Sequence, residues 1–154
     1  LKVAILQIKK LLAKVDTVDE FRGLWGLEGN VSKLFFSQYF KNYAWKGRKP
    51  RTKQDELNVL LDIGYTYLFN FIDAHLRLYG FDTYKGFYHT EFYRRKSLVC
   101  DLVEPFRCII DQALLKALNL KQFDLDDFEV KHYKYKLKRG FGKKYSKIFL
   151  VAIM

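Results

Sequence analysis

Apolar and polar positions alternate with a helical period over most of the chain. From Leu1 to Val15, apolar residues recur at helical spacing with lysines between them, which predicts an amphipathic helix. Thr17-Val-Asp-Glu20 then has the form of a capping box, which predicts the start of a second helix. From Leu24 onward the helical period returns, and Glu28 falls inside the apolar stripe. We therefore expect the helix to bury Glu28, and a buried carboxylate needs a partner.

The middle of the chain predicts one long helix between two loops. Residues 44–53 contain a glycine, a proline and five basic residues, and this composition is typical of a loop. Apolar residues recur almost continuously at helical spacing from Asp55 to Tyr79, and Gly80 follows as a C-terminal cap would. A second, glycine-bracketed loop then leads to His89.

The last third of the chain predicts two further helices and a hairpin. The pattern over Ser97 to Leu118 is helical, with a break or kink at Pro105, because proline cannot donate a hydrogen bond to the Asp101 carbonyl. Apolar and basic residues then alternate with a period of two, which predicts a short β-hairpin near residues 130–142. Residues 143–154 indicate a final helix. The predicted fold class is mainly α, a helical bundle-like domain with one short hairpin.

Length and composition agree with a single packed domain spanning residues 1–154. The chain is 49% apolar and 18% aromatic, which is enough for a real core. No apolar run reaches the ~18–20 residues of a membrane span and no secretory leader opens the chain, so we expect a soluble, cytoplasmic protein. Cys100 and Cys108 would stand ~12 Å apart on one helix, beyond disulfide reach, and we expect both to be reduced core residues.

The formal net charge of +11 indicates a polyanionic partner, because such a surplus supplies a salt-sensitive affinity for phosphates. Nucleic acid is the first expectation and an anionic membrane the second. The block from Lys131 to Lys147 holds eight basic residues among four Tyr and Phe residues, a mixture suited to phosphate contacts and base stacking. A solvated basic edge strand, protected from aggregation by its lysines, explains this block equally well.

Three side chains in one basic segment form a candidate metal site. His89, Asp101 and Glu104 offer nitrogen and oxygen donors suited to Mg²⁺ or Mn²⁺, with the histidine favouring Mn²⁺, and the folded chain could bring Glu28 to the same point. Simpler interpretations stay open. His89 could be a packing residue, Glu28 one half of a buried ion pair, and the two acids of the Asp-x-x-Glu pair part of a solvated polar face.

Basic residues near these acids could bind flanking phosphates, although each is also consistent with an ordinary surface charge. They are Lys33, Arg48, Arg51, Arg94, Arg95, Lys96 and Arg107. The chain has no Walker loop, no Gly-x-Ser-x-Gly elbow and no dinucleotide fingerprint, which argues against nucleotide or ester chemistry.

Three blocks, in order, give the chain a resemblance to the CRISPR-associated integrase family, CRISPR-associated protein one. They are Leu24-Trp-Gly-Leu-Glu28-Gly, then Lys46-Gly-Arg48-Lys-Pro50-Arg with Asp55, Asn58 and Gly64-Tyr65, and then Gly86-Phe-Tyr-His89 followed by Ser97-Leu-Val-Cys-Asp101-Leu-Val-Glu104-Pro-Phe-Arg107. The third block is the most specific, and the matched region runs from about Leu24 to Asp111.

The resemblance implies metal-dependent DNA chemistry. It implies that Glu28, His89 and Glu104 hold one Mg²⁺ or Mn²⁺ ion, with Asp101 as a supporting or alternative acid. The implied reaction is attack of a DNA 3′-hydroxyl on a CRISPR repeat, which inserts a captured fragment as a new spacer, together with endonuclease activity. The implied partners are double-stranded DNA, further copies of the chain as a homodimer or higher oligomer, and the small second CRISPR adaptation protein.

Two departures from the family pattern qualify this expectation. Lys33 stands where the family usually has arginine, which keeps the charge but loses bidentate phosphate geometry. We also expect the family's β-rich N-terminal domain to be absent from this chain, so that DNA binding is retained while assembly is impaired. The alternative function is a non-catalytic basic helical module that holds DNA or a protein partner.

Overall fold

The computed structural model describes residues 2–43, 45 and 47–154, so Ala44 and Lys46 of the predicted loop lie outside the described residues. The chain divides into two compact units, Leu1–Arg48 and Lys49–Met154, and each is described by itself. Within the described ranges the chain forms six α-helices and one two-stranded hairpin, which confirms the mainly α fold class. The single domain predicted from the sequence stays a prediction.

The first unit is a helical pair. Helix α1, Lys2–Leu12, packs against helix α2, Phe21–Tyr39. Near the end of α2, Phe36 and Phe40 are buried, and the Trp45 ring meets them edge-on at centroid distances of 5.6 and 5.2 Å. These aromatic contacts make the C-terminal end of α2 its best-packed part.

The predicted capping box between the first two helices is wrong. The Thr17 hydroxyl donates to the Lys14 carbonyl at 2.8 Å and closes a short 3₁₀ turn, so it cannot cap α2. The helix begins at Phe21 after Glu20, whose side chain makes no capping hydrogen bond. The physical reason is that a threonine hydroxyl can satisfy a local carbonyl just as readily as a helix N–H.

Helix α3, Glu56–Leu78, is the centre of the second unit. Asp55 caps it, because its carboxylate accepts from the Asn58 N–H at 2.7 Å, and Gly80 follows its end with φ of +78°. Its buried face contacts the three other helices of the unit and the hairpin. The predicted long helix is therefore confirmed, together with both of its end signals.

The predicted break at Pro105 is also confirmed. Helix α4 covers Ser97–Val103, a 3₁₀ turn follows over Glu104–Phe106, and helix α5 covers Arg107–Asn119. Both cysteines are free. Cys100 is half-buried, but Cys108 is exposed just past the turn, so the expectation of two core cysteines is wrong for the second.

The predicted hairpin is present, but it begins at Phe128, two residues earlier than expected, and ends at Leu137 rather than near residue 142. Strand β1, Phe128–Lys131, pairs antiparallel with β2, Lys134–Leu137, and helix α6, Gly142–Ile153, follows. No helix in the described ranges is both long enough and apolar enough to cross a membrane.

Gly64 allows the three long helices of this unit to approach closely. It is buried in α3, where a Cβ atom would lie 2.4 Å from Cγ2 of Ile110 on α5 and 2.9 Å from Cε1 of Phe149 on α6. Both neighbours are completely buried. The position therefore has no room for a methyl group unless a neighbouring helix moves.

Candidate active site

Asp101 is the centre of the most elaborate polar arrangement near the predicted site. Its side chain is 0% exposed. One carboxylate oxygen accepts from the backbone N–H groups of Phe87 and Tyr88 at 2.7 and 3.0 Å, and the other accepts from the backbone N–H of His89 at 2.9 Å. The interpretation of Asp101 as part of a solvated polar face is therefore wrong. The loop before α4 folds back over this side chain and supplies three backbone donors.

The fourth donor to Asp101 is the His89 imidazole. Nδ1 of His89 lies 2.6 Å from Oδ1 of Asp101. Burial alone would raise the pKa of Asp101, but hydrogen bonds from Tyr88, His89 and Phe87 outweigh burial and hold the pKa below its usual value. An ionised carboxylate can only accept, so Nδ1 carries the proton, and in the neutral imidazole Nε2 keeps its lone pair.

The imidazole stays within reach of a ligand despite this anchoring. The His89 side chain is 20% exposed, whereas its carboxylate partner is fully buried. A histidine whose Nδ1–H is held by a carboxylate presents Nε2 in a fixed direction, which is the usual arrangement of a metal-binding or proton-accepting histidine. The pair can therefore bind a cation or accept a proton through one defined atom.

Gly86 makes this arrangement possible by its close approach to α4. A Cβ atom at Gly86 would lie 2.7 Å from Oδ2 of Asp101 and 2.8 Å from Cβ of Ser97. Ser97 in turn donates its hydroxyl to the Thr90 carbonyl at 3.1 Å. The loop is thus tied to the start of α4 on both sides of His89.

We expect Gly86→Ala to destabilise the protein by about 1–2 kcal/mol, because the new methyl group displaces the Asp101 carboxylate. Urea unfolding followed by circular dichroism measures this change. Gly142→Ala is the matched control, since no described atom lies within 4 Å of a Cβ at Gly142. Equal stability of the two variants would contradict the close approach.

Glu104 lies in the turn after α4 and is held by an ion pair. Both of its carboxylate oxygens accept from one Arg107 nitrogen, at 3.1 and 2.9 Å, and its side chain is 35% exposed. The Arg107 guanidinium also lies over the Tyr65 ring, 4.5 Å from its centroid. The Tyr65 hydroxyl donates to the buried Asp111 at 2.5 Å. Glu104 is therefore oriented by a chain of polar contacts that reaches α3.

Glu28 belongs to the first unit and is exposed on α2, so the predicted burial is wrong. The apolar residues around it are half-buried or, for Trp25, exposed, because the core contacts of α2 are concentrated farther along, at Phe36 and Phe40. Among residues 2–43, 45 and 47–154, no three His, Cys, Asp or Glu side chains form a group that could hold a metal ion. Within the second unit, His89 and Asp101 are in direct contact.

The predicted phosphate-binding residues differ in their surroundings. Lys33 and Arg51 are exposed, Arg48 and Arg95 are half-buried, and the exposed Arg94 lies over the Tyr93 ring. Two others make ion pairs within the second unit. Lys96 donates to Asp73 at 2.7 Å, and Arg107 donates to Glu104. Asp73 was not among the predicted residues, although its i,i+4 spacing from Arg77 indicated an acidic anchor on α3.

The loop that carries Arg51 is fixed by the Asp-x-x-Asn motif. The Asn58 side chain is completely buried, its carbonyl oxygen accepts from the Lys49 N–H at 2.8 Å, and its amide donates to Asp55 at 2.7 Å. This motif therefore has a structural role, because it joins the basic loop to the start of α3.

Comparisons with known proteins identify the family of the chain. Residues 1–150 match the family model described as CRISPR associated protein Cas1. The chain is 31% identical over 128 residues to CRISPR-associated endonuclease Cas1 3 of Thermus thermophilus, covering 80% of this chain and 39% of the relative. The chain thus spans about two fifths of that relative's length.

Two solved structures share the fold. The structure titled partial Cas6-RT-Cas1–Cas2 complex aligns with a TM-score of 0.86 and 29% identity, over 96% of this chain and 47% of that one. The structure titled casposase bound to integration product aligns with a TM-score of 0.84 and 25% identity, over 93% and 43%. With the family model covering nearly the whole sequence, the chain belongs to the CRISPR-associated protein Cas1 family.

Proposed function

We propose that this chain is the catalytic part of a CRISPR adaptation integrase. It would insert captured DNA fragments as new spacers by attack of a DNA 3′-hydroxyl on a repeat phosphodiester, and cut DNA by the hydrolytic form of that reaction. The observation that supports this most is the His89–Asp101 pair, in which a buried carboxylate with four donors orients an accessible imidazole. The relatives named as endonucleases and the casposase bound to its integration product favour the same chemistry.

By chemical type, the imidazole nitrogen of His89 and the carboxylate oxygens of Glu28 and Glu104 suit a divalent metal. Glu28, His89 and Glu104 would hold Mg²⁺ or Mn²⁺, His89 through Nε2, because its Nδ1 is already committed to Asp101. Such an ion, when bound, polarises a phosphodiester and lowers the pKa of a hydroxyl.

The surrounding residues would position these groups. Asp101 acts through His89, since all its acceptor positions face the loop, and it is therefore a positioning residue. Arg107 holds the Glu104 carboxylate in one orientation. Arg51, Arg95, Lys33 and Arg48 would bind flanking phosphates and set the register of the DNA.

We further propose that both compact units form one domain, and that the natural assembly contains more than this chain. Double-stranded DNA, prespacer and repeat, would be the substrate. A second copy of the chain and the small second adaptation protein would be partners, and the cytoplasm the compartment. The solved complex that names Cas1 together with Cas2 supports this expectation by similarity.

Replacement of His89 tests the catalytic proposal. We expect His89→Ala to abolish Mn²⁺-dependent transfer of a labelled duplex into a repeat-bearing plasmid while leaving DNA affinity unchanged, because His89 would contact the metal and not a phosphate. His75→Ala is the matched control, since His75 is exposed on α3 and bonded to the Phe71 carbonyl. Loss of DNA binding in His89→Ala, or transfer equal to that of the unmodified chain, would contradict the proposal.

The second candidate function is a non-catalytic module that holds DNA or a protein. The ion pairs of Glu104 with Arg107 and of Asp73 with Lys96 favour it, because they show acids of this unit acting as anchors for basic residues. Calorimetric titration with Mn²⁺ separates the two functions. Specific uptake that disappears in Glu28→Ala supports the integrase, and no uptake in either protein supports the module.

A further inference from the structure

The hairpin of the second unit ends in an unusual turn. His132 and Tyr133 connect β1 to β2, and their φ angles are +52° and +60°. A two-residue turn with both residues in the left-handed region normally carries Asn-Gly, because a Cβ atom is disfavoured there. The tyrosine side chain at this position is 99% exposed. The turn therefore gives up stability and presents an aromatic ring to solvent.

One face of the hairpin carries positive charge up to this ring. In the register, Lys131 is opposite Lys134 and Glu129 is opposite Lys136, so these four side chains share the outer face. Glu129 pairs with Lys131 at 2.8 Å. Within the described residues, Lys134, Lys136 and the exposed Arg139 take part in no ion pair. Lys131, which faces Lys134, is offset by Glu129, so the uncompensated positive charge of this face lies on Lys134 and Lys136.

The other face holds the hairpin in place. Phe128 is buried, with its ring 5.7 Å from that of Tyr145 on α6. The Tyr135 N–H donates to the Lys53 carbonyl at 2.8 Å, and the Lys138 N–H donates to the Asp127 carbonyl at 2.9 Å. The base of the hairpin is thus fixed to the unit, which gives the backbone at Tyr133 a defined position while the ring itself is free in solvent.

We infer that the hairpin tip is a binding surface for single-stranded DNA, separate from the candidate active site. Tyr133 would stack on an unpaired base, and Lys134 and Lys136 would bind neighbouring phosphates. An aromatic ring beside a row of unpaired cations is the combination that single strands recognise. Protection against aggregation explains the lysines but not a tyrosine in a left-handed turn. This inference shares with the proposed function only the expectation that DNA is the ligand.

The test is the affinity of a labelled 15-residue oligonucleotide, measured by fluorescence anisotropy without metal. We expect Tyr133→Gly to weaken binding about tenfold, because one base stack is lost. The same variant should unfold at an equal or higher temperature, since glycine accepts the left-handed turn. If the turn had only a structural role, the oligonucleotide affinity would not fall while the unfolding temperature is kept or raised. Tyr79→Ala, which removes another exposed tyrosine (77%), should bind as the unmodified chain does.

The lysines are tested by salt dependence. The double replacement Lys134→Ala with Lys136→Ala should make the slope of log affinity against log salt shallower by about 1.4. Each phosphate contact on a single strand contributes about 0.7 to this slope, and two contacts are removed. Unchanged affinity in Tyr133→Gly, or competition by a polyglutamate peptide equal to that by the oligonucleotide, would overturn the inference. Because no metal is present, this affinity does not depend on the integrase reaction, so a loss of binding in Tyr133→Gly would support the inference even if the chain has no integrase activity.

Discussion

Asp101→Asn is expected to lower the free energy of unfolding by about 2–4 kcal/mol at pH 7, because hydrogen bonds to a charged group contribute about 1.5–3 kcal/mol each and an unsatisfied buried donor costs about 1–3 kcal/mol. Four donors point at the Asp101 carboxylate, three of them backbone N–H groups of consecutive loop residues. An asparagine side chain offers one oxygen and one amide group, so at least one of these donors would face another donor. The substitution removes a charge and also misplaces hydrogen atoms in a site that excludes water.

The pH dependence of this effect has a definite sign. The pKa of Asp101 is lowered in the folded protein, so its stabilising contribution is complete above the unfolded aspartate value, about 3.9. The contribution is lost as the pH falls through the lower, folded value. The difference in stability between the unmodified protein and Asp101→Asn should therefore shrink on acidification.

Urea unfolding at pH 7 and at several values below pH 4 measures both the size of the effect and its sign. Asp126→Asn is a suitable control, because this carboxylate is exposed in the same unit and should tolerate the substitution. Nitrogen chemical shifts of the His89 ring add a direct readout, since Asp101→Asn should no longer hold the proton on Nδ1. A stability difference that stays constant down to acid pH would show that the carboxylate charge is not the cause.

Gly64→Ala is expected to destabilise the protein by about 2–3 kcal/mol, at the upper end of typical overpacking costs. Alanine favours a helix over glycine by about 1 kcal/mol, so propensity alone predicts the opposite sign. The new methyl group would meet Ile110 at 2.4 Å and Phe149 at 2.9 Å, and both of these side chains are fully buried. Steric overlap between three packed helices should therefore outweigh the gain in propensity.

Thermal and urea unfolding of Gly64→Ala, with Gly142→Ala as the control, test this prediction. The double variant Gly64→Ala with Ile110→Leu tests the cause directly. Leucine nearly conserves the side-chain volume but lacks the Cγ2 atom that would overlap with the new methyl group. The double variant should regain part of the lost stability. If Gly64→Ala is as stable as the unmodified protein, α3 and α5 must separate more easily than their packing indicates.

The fold was largely predictable because its signals are local. Asp55 and Gly80 mark the ends of α3, Pro105 interrupts the helical pattern, and alternating residues mark the hairpin. Each signal acts through the backbone within a few residues, so no knowledge of the tertiary structure is needed. The false capping box at Thr17 shows the limit of such reasoning, since a hydroxyl has more than one carbonyl or N–H within reach.

The site was less predictable because it depends on contacts between distant segments. His89 and Asp101 were singled out by residue type, but helical periodicity placed Asp101 on a polar face toward solvent. Asp101 is buried because the loop before α4 returns over that helix. Gly86 was the sequence signal of this close approach between the loop and the helix. For Glu28 the error was the opposite one, since burial was predicted and the residue is exposed. An apolar stripe does not show how much of a helix is covered by neighbouring elements.

The Asp101 carboxylate also restricts the motion of the loop, because it accepts hydrogen bonds from the backbone N–H groups of Phe87, Tyr88 and His89. An exposed loop usually opens on its own, with little cost to the helices beside it. Here three successive amides depend on a single side chain of α4, so the loop and the helix form one cooperative unit. The imidazole therefore keeps one orientation for as long as α4 stays folded.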